Sequence, residues 1–482
     1  MGMTIVWILL AALAVLAAVV IFRTMKFVPP VEEPGVEDPI DLDHDKIVQD
    51  MVDMIRCKTV SYYEEEKMDM EEFRKFQKLL EERFPLVHQA TELHHIGRSG
   101  LLYKLPGRSS EKPSVCMAHY DVVPIEEDGW VKPAFEGIVE DGHIWGRGTL
   151  DTKGTLCGIF EALESLLGRE GGFTPENDLY LSFSGGEEVD GGDCPMIVEW
   201  LRERGIVPAL VVDEGGAVVD GVFPGVDKSC AVVGIGEKGM LNVNFTLESD
   251  GGHASTPPKN GVVKQLADAI IAIEKHPFPT QMTRPVEEMF DALGRHSTFL
   301  YRMIFANLWL FGPVLSAYCS MAGGELNALM RTTVALTRMD GSKAYNVLPP
   351  KASFGANLRL LGTDTTDSAV EYLRGVIKND NIKIEAVNAM NPSPYSDTTC
   401  DEWLKLKDAI HNTWPDAIVA PYLMMACSDS RSYNAISDRV YRFSAMYLTA
   451  EERAMIHGNN ERIPIPTLIK TVEFYVRLIR GL

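Results

Sequence analysis

A chain of 482 residues, 46% of them hydrophobic, is too long for one ordinary core and has enough apolar content for two. Its formal net charge of −22 excludes nucleic acid as a partner, because neutralising phosphates requires clustered Lys and Arg that are not present. The 8 cysteines are scattered without CxxC pairs, so neither a thiolate zinc site nor a disulfide framework is encoded, and free buried thiols are expected.

Thr4 to Phe22 is free of charged residues. As a helix this run rises roughly 28 Å, about the thickness of a bilayer's hydrocarbon core. It lacks the basic start and small-residue cleavage site of a signal peptide, so an uncleaved anchor over residues 1–27 is expected. Arg23 and Lys26 flank it on the C-terminal side, which favours a cytoplasmic body but leaves the side of the membrane open. Residues 28–44, acidic and punctuated by prolines, read as a linker.

Two amphipathic helices then open the folded body, through Ile47, Met51, Met54 and Ile55 and through Phe73, Phe76 and Leu80. Short apolar runs at 114–118, 179–183 and 209–212 alternate with helical patterns, which predicts an α/β sheet with helices on both faces. Near Gly236 the period changes. Leu241, Val243, Phe245 and Leu247 alternate with polar residues, and the order strand, helix, strand, strand, helix, strand to residue 387 predicts an inserted ferredoxin-like domain. The expected division is a catalytic domain over 45–236 and 392–482, interrupted by a lid or dimerisation domain over 237–391. Within that insert, Phe299 to Met321 is apolar but broken by Arg302, Asn307 and Pro313. A buried or partner-facing helix pair is expected there ahead of a second membrane span, with a wall for a greasy substrate as a third reading.

Four clusters carry the chemistry. His119-Tyr120-Asp121 ends an apolar strand, and period 2 would let the Asp121 carboxylate accept the imidazole N–H. Gly146 to Gly154 holds Asp151 just before a helix near Thr155, where an Asp could cap the helix or bridge two cations. Glu187-Glu188 and Asp213-Glu214 both follow apolar strands and lead into glycines, and adjacent acids repel unless a cation or proton relieves them. Strand ends of an open α/β sheet line one crevice, so the four clusters should converge into a hard-cation or zinc site.

In this order and spacing the chain resembles the dinuclear zinc metallopeptidases of family 20, which include carboxypeptidase G, aminoacylase and succinyl-diaminopimelate desuccinylase. The carriers are the four clusters together with Gly252-His253, Asn346-Val347-Leu348-Pro349 and Ile456-His457-Gly458. Trp130 to Phe135, Leu308 to Phe311 and Ser428 to Arg431 add a likeness to the carboxypeptidase S and N-fatty-acyl-amino acid synthase/hydrolase subgroup. The resemblance implies a membrane-anchored amidohydrolase acting on short peptides or N-acyl amino acids, with a strict carboxypeptidase or dipeptidase as the alternative. A non-catalytic binding protein on the same fold is the rival from outside enzymes. It implies two Zn2+ per chain, Co2+ or Mn2+ being compatible with the same ligands. Asp151 would bridge them, with His119 and Glu214 on one metal, Glu188 and His457 on the other, and Asp213 as the alternative to Glu214. Asp121 would support from behind, and Glu187 would take a proton from the attacking water and pass it to the leaving amine. His253 would stabilise the oxyanion, in the family often from the partner of a homodimer. Arg431, Arg359 and Asn346 are candidate substrate-binding residues, the arginines as carboxylate clamps.

Overall fold

The computed structural model describes residues 2–482 apart from 32–34, 36, 37, 190 and 222. Met1 of the expected anchor, part of the expected linker and Asp190 beside the third cluster therefore lie outside the described residues.

The strands run in chain order as β1 (Glu92–Ile96), β2 (Gly100–Leu105), β3 (Ser109–His119), β4 (Ile138–Glu140), β5 (His143–Trp145), β6 (Asn177–Ser184), β7 (Leu210–Val219) and β8 (Cys230–Glu237). They continue as β9 (Gly239–Glu248), β10 (Gly252–His253), β11 (Thr333–Asp340), β12 (Val347–Leu348), β13 (Lys351–Leu360), β14 (Lys383–Met390), β15 (Ile418–Met424), β16 (Val440–Tyr447) and β17 (Arg462–Pro464). The main sheet is 8-stranded, ordered β1-β2-β6-β3-β7-β16-β8-β15. Its centre is parallel, with β3 between β6 and β7 and β16 beside β7.

A central parallel strand must bury both faces, which is why β3 reads as an unbroken apolar run. Cys116 and Ala118 point into the larger core beneath the helices Lys153–Leu167 and Ile465–Arg480, while Val115 and Met117 point into a smaller core under the helix Asp193–Glu203. The expected helices on both faces are thus present. All three chemistry-bearing strands, β3, β6 and β7, run the same way, so their C-terminal ends open on one rim.

The second sheet is ordered β11-β13-β9-β14 and antiparallel, with the helices Val262–Lys275 and Thr366–Ile377 on its apolar face. This is the ferredoxin-like arrangement predicted from the period-2 run in β9, whose Leu241, Val243, Phe245 and Leu247 are all buried. All 8 cysteines are free thiols, six of them buried.

Between the helix Val262–Lys275 and β11 lies an all-helical excursion. Arg284–His296 packs on β15, and Phe299–Phe305 meets Leu308–Ala322 at a bend of 105°. The expected helix pair is therefore present, and much of it is exposed and not buried. Phe305 and Cys319 point inward, whereas Phe299, Leu300, Trp309, Val314, Tyr318 and Met321 are exposed. The N-terminal helix Gly2–Lys26 is long and apolar enough to cross a membrane and touches the body only at its end. There Val20 and Thr24 are buried, and the Asn307 side chain at the bend donates to the Val20 carbonyl and Thr24 Oγ1, both at 3.3 Å.

Candidate metal centre

His119 is the last residue of β3 and only 2% exposed. Its Nδ1 donates to the backbone carbonyl of Asp121 at 3.0 Å, which leaves Nε2 as the lone-pair nitrogen facing the rim. The sequence suggested the Asp121 carboxylate as acceptor, but that oxygen lies at 3.4 Å. The strand stops at His119, so the alternation that would have aligned the two side chains no longer applies. Freed from the imidazole, the Asp121 carboxylate accepts from Ser61 Oγ at 2.7 Å and from the backbone N–H groups of Glu187 and Glu188 at 3.1 and 3.2 Å. It thereby fixes the acid loop that follows β6.

Asp151 sits in the turn before Lys153–Leu167, with one carboxylate oxygen toward each histidine. Oδ1 is 3.0 Å from His119 Nε2, and Oδ2 is 2.9 Å from His457 Nε2. His457 reaches in from the C-terminal side with a left-handed φ of 58°, and it also lies 3.0 Å from Glu188 Oε2. Glu214 Oε1 is 3.5 Å from His119 Nε2, and Glu187 Oε2 is 4.0 Å away. Asp213 points elsewhere and accepts from the Ser430 backbone N–H at 3.1 Å. Of the acid pair, Glu214 is the one beside the histidine. Gly215 next to it has a φ of +143°, and a Cβ there would come within 2.7 Å of Arg442 and 2.8 Å of the Met424 sulfur. Only glycine lets β7 turn its acid toward the rim at that point.

The donor set fits divalent cations. Ligand atoms of His119, Asp151 and Glu188 lie within 4.8 Å of one another, as do those of His119, Glu187 and Glu214. Among the described residues no Lys or Arg pairs with these carboxylates, and burial pushes Glu187 well up and Glu214 up to about 8. Burial disfavours the charged form of His119, but the carboxylates of Glu214, Asp121 and Asp151 outweigh it and raise its pKa. Negative charge is in excess among largely buried carboxylates, and a bound cation is what would relieve it.

Three supporting groups were not singled out from sequence. Glu461, fully buried, accepts from Arg147 Nη1 at 2.7 Å and from the backbone N–H groups of Gly148, Leu150 and Asp151 at 3.0, 2.7 and 3.3 Å, so it holds the turn that carries Asp151. Asp429 accepts from Ser184 Oγ, and burial pushes it up to about 7. Glu237 forms a fully buried ion pair with Arg442 and accepts from Ser428 Oγ at 3.2 Å, locking the turn that carries Asp429. The only local signals were a Glu four residues after His457 and the motif Ser428 to Arg431.

The remaining candidates stand apart. His253 and Asn346 are exposed and neighbour each other on the two-stranded ribbon β10-β12, where Ala254 N–H donates to the Asn346 carbonyl at 3.1 Å. Arg359 and Arg431 flank Cys427 at the joint between the sheets. Arg359 Nη1 lies 3.6 Å from the Cys427 sulfur, and Arg431 Nη2 donates to the Asn391 carbonyl at 2.7 Å. Arg431 Nη1 is buried without a hydrogen-bond acceptor.

Fold and centre together define a metallohydrolase. The chain belongs to Peptidase family M20/M25/M40, whose sequence profile matches residues 115–481. It is 34% identical over 477 residues to the probable carboxypeptidase S-like 2 of Dictyostelium discoideum, covering 96% of this chain and 91% of that one. It is 33% identical over 491 residues to the N-fatty-acyl-amino acid synthase/hydrolase PM20D1 of Xenopus tropicalis, covering 100% and 95%. Among solved structures, an M20 family metallo-carboxypeptidase from Sulfolobus solfataricus superposes with a TM-score of 0.64 at 16% identity, covering 90% of this chain and 98% of that one.

Proposed function

We propose that this enzyme hydrolyses the amide bond of N-acyl amino acids and short peptides and releases a free amino acid, using two zinc ions held at the rim of the main sheet. The observation that carries the reading is the split carboxylate of Asp151, with one oxygen toward each histidine. Such a group would hold two cations at once, with His119 and Glu214 serving one and Glu188 and His457 the other. The names of the relatives from Dictyostelium and Xenopus support the substrate classes. When bound, the cations polarise the scissile carbonyl and favour deprotonation of water.

Glu187 would accept the proton and return it to the leaving amine. Its carboxylate faces the same centre, and burial raises its affinity for a proton, as a group that must take and give one requires. Arg431 and Arg359 would receive the substrate carboxylate at the joint, where Arg431 Nη1 makes no hydrogen bond and lies 3.6 Å from the buried Glu237 carboxylate. His253 and Asn346 would reach the oxyanion by lid closure or from a second copy in a homodimer. Residues 237–391 would then be the lid, and 45–236 with 392–482 the catalytic body. The N-terminal helix would be a retained anchor, a reading supported by the Asn307 contacts that hold its end against the body.

The test supplies purified full-length protein with zinc and offers N-acetyl-phenylalanine, N-oleoyl-phenylalanine and Gly-Leu at equal concentration. Release of the free amino acid that disappears on chelation is expected. No release from any of them at full metal loading would overturn the reading, and hydrolysis of the dipeptide alone would narrow it to a dipeptidase.

A further inference from the structure

Gly215 and Ile456, the chain neighbours of Glu214 and His457, line a cavity of about 460 Å³ whose other walls include Leu326 and Leu329 of the helical excursion. Its walls are apolar, with Met289, Leu329, Met424 and Met425 among them, and only Glu325, Tyr422 and Arg453 add polar side chains. Methionines make such a wall adaptable to an unbranched chain. At its far end, Phe223 and Leu326 also line a second cavity of about 290 Å³. That second cavity is walled by Tyr301, Ile304, Phe311, Val314, Leu315 and Tyr318, all from the bent helix pair. Two apolar spaces thus abut through a pair of side chains, one walled by the chain neighbours of Glu214 and His457 and one by the bent helix pair.

The pair exposes Leu300 at 62% and Trp309 at 56%, and Val314 at 67% and Tyr318 at 58% are both walls of the second cavity and open to solvent. Exposed apolar side chains that include Trp and Tyr are common where a protein meets lipid headgroups. The body itself says which partner covers them. The elbow of the pair is the point at which the membrane-length N-terminal helix ends, with Arg23 Nε donating to the Ala306 carbonyl at 3.1 Å and Asn307 gripping Val20 and Thr24. A helix that leaves the bilayer near Arg23 holds this elbow at the membrane surface. The 105° bend lets the pair lie in that plane and not cross it.

We propose that the two cavities form a channel through which the fatty chain of an N-acyl amino acid enters the centre sideways from the bilayer, with Phe223 and Leu326 as the constriction. The proposal rests on the amidohydrolase reading and deepens it to a substrate class: amides of long unbranched acyl chains that partition into lipid. The occupant of the outer face is the bilayer, and a second copy of the chain is the competing outcome.

The test has two independent arms, both on full-length protein in phosphatidylcholine vesicles. In the first, kcat/KM is measured for N-acetyl-, N-octanoyl- and N-oleoyl-phenylalanine. Leu326→Trp should lower the oleoyl-to-acetyl ratio at least about tenfold, since several methylenes lose their burial, and Phe223→Ala should not lower it. An unchanged ratio in Leu326→Trp overturns the channel, as does an equal loss on all three substrates. In the second arm, an N-oleoyl-phenylalanine carrying a diazirine at the chain terminus is photolysed on the Glu187→Gln protein, with labelled residues read by mass spectrometry. Labels within 301–326 and at Phe223 are expected; labels confined to other surfaces overturn the proposal. An unlabelled 301–326 segment together with a dimeric mass of the protein in detergent would assign the face to a dimer instead. Because the second arm needs no turnover, failure to hydrolyse even the acetyl substrate would sink the amidohydrolase reading while the labelling still decides the channel.

Discussion

His119 is almost wholly enclosed, and both of its ring nitrogens are engaged from within the chain, whereas His253 stands on an exposed ribbon with Ser255 against its ring, Oγ at 2.8 Å and the backbone N–H at 3.2 Å. The metal centre is held by buried acids that satisfy backbone donors: Asp121 behind the Glu187-Glu188 loop, Glu461 behind the Asp151 turn and Glu237 behind the turn of Asp429. Among the described residues nothing comparable braces His253 and Asn346. Groups that must hold a cation at fixed distances need such bracing before substrate arrives, while a group that meets only the transition state can be brought in afterwards. The contrast therefore separates residues whose loss removes the site from residues whose loss only slows it.

The largest effect is expected for Asp151→Ala. With no carboxylate between the histidines, metal analysis should find fewer than two zincs per chain and turnover should vanish; two zincs would break the bridging assignment. Glu187→Gln should retain both metals and lower kcat by about 10²–10⁴, the range for loss of a positioned proton carrier. Undiminished turnover there would sink the base. His253→Ala should lower kcat by about 10² with no change in metal content or thermal midpoint, because the ring is exposed and supports no core. A shifted midpoint would show that the ribbon is braced after all. Glu461→Gln tests the bracing directly. It should weaken zinc affinity by about tenfold although Glu461 touches no metal site atom, an effect visible by chelator competition.

These expectations rest on features of unequal legibility. The sheet was readable because Val115 to Ala118 must bury both faces, and the lid because β9 alternates; both are local patterns. The convergence of His119, Asp151 and the two acid pairs followed from a rule about strand ends. The choice between Asp213 and Glu214 did not, since it depends on Ser430, 217 residues away, taking up Asp213. Glu461 was invisible for the same reason: its partners lie more than 300 residues earlier, and a lone Glu near the C-terminus has no periodicity to mark it. The sequence left 299–321 as a buried or a partner-facing pair, because Arg302 and Pro313 argue against a straight span yet do not say which way a bent pair faces.

The smallest effect is expected at the joint between the two regions, where it separates a rigid hinge from a titratable one. Lys238 follows β8 directly, is fully buried, and donates from Nζ to the carbonyls of Ala328 and Arg331, both at 2.8 Å. Burial pushes its pKa down to about 7, Arg359 adds to that, and Asp364 opposes it. In the unfolded chain the same amine titrates near 10.5, so between these values the unfolded state binds more protons than the folded one. Stability from this group is present in full above the unfolded value and is lost as pH falls through about 7. Wild type should therefore gain stability between pH 7 and 9 by at most about 1.4 kcal/mol per pH unit from this residue, a slope that Lys238→Met should lack. Thermal midpoints of both proteins in detergent at pH 7, 8 and 9 measure the difference. Parallel curves would mean that Lys238 stays charged in the fold, and the joint would then be held by an ammonium on two carbonyls with no pH-dependent contribution.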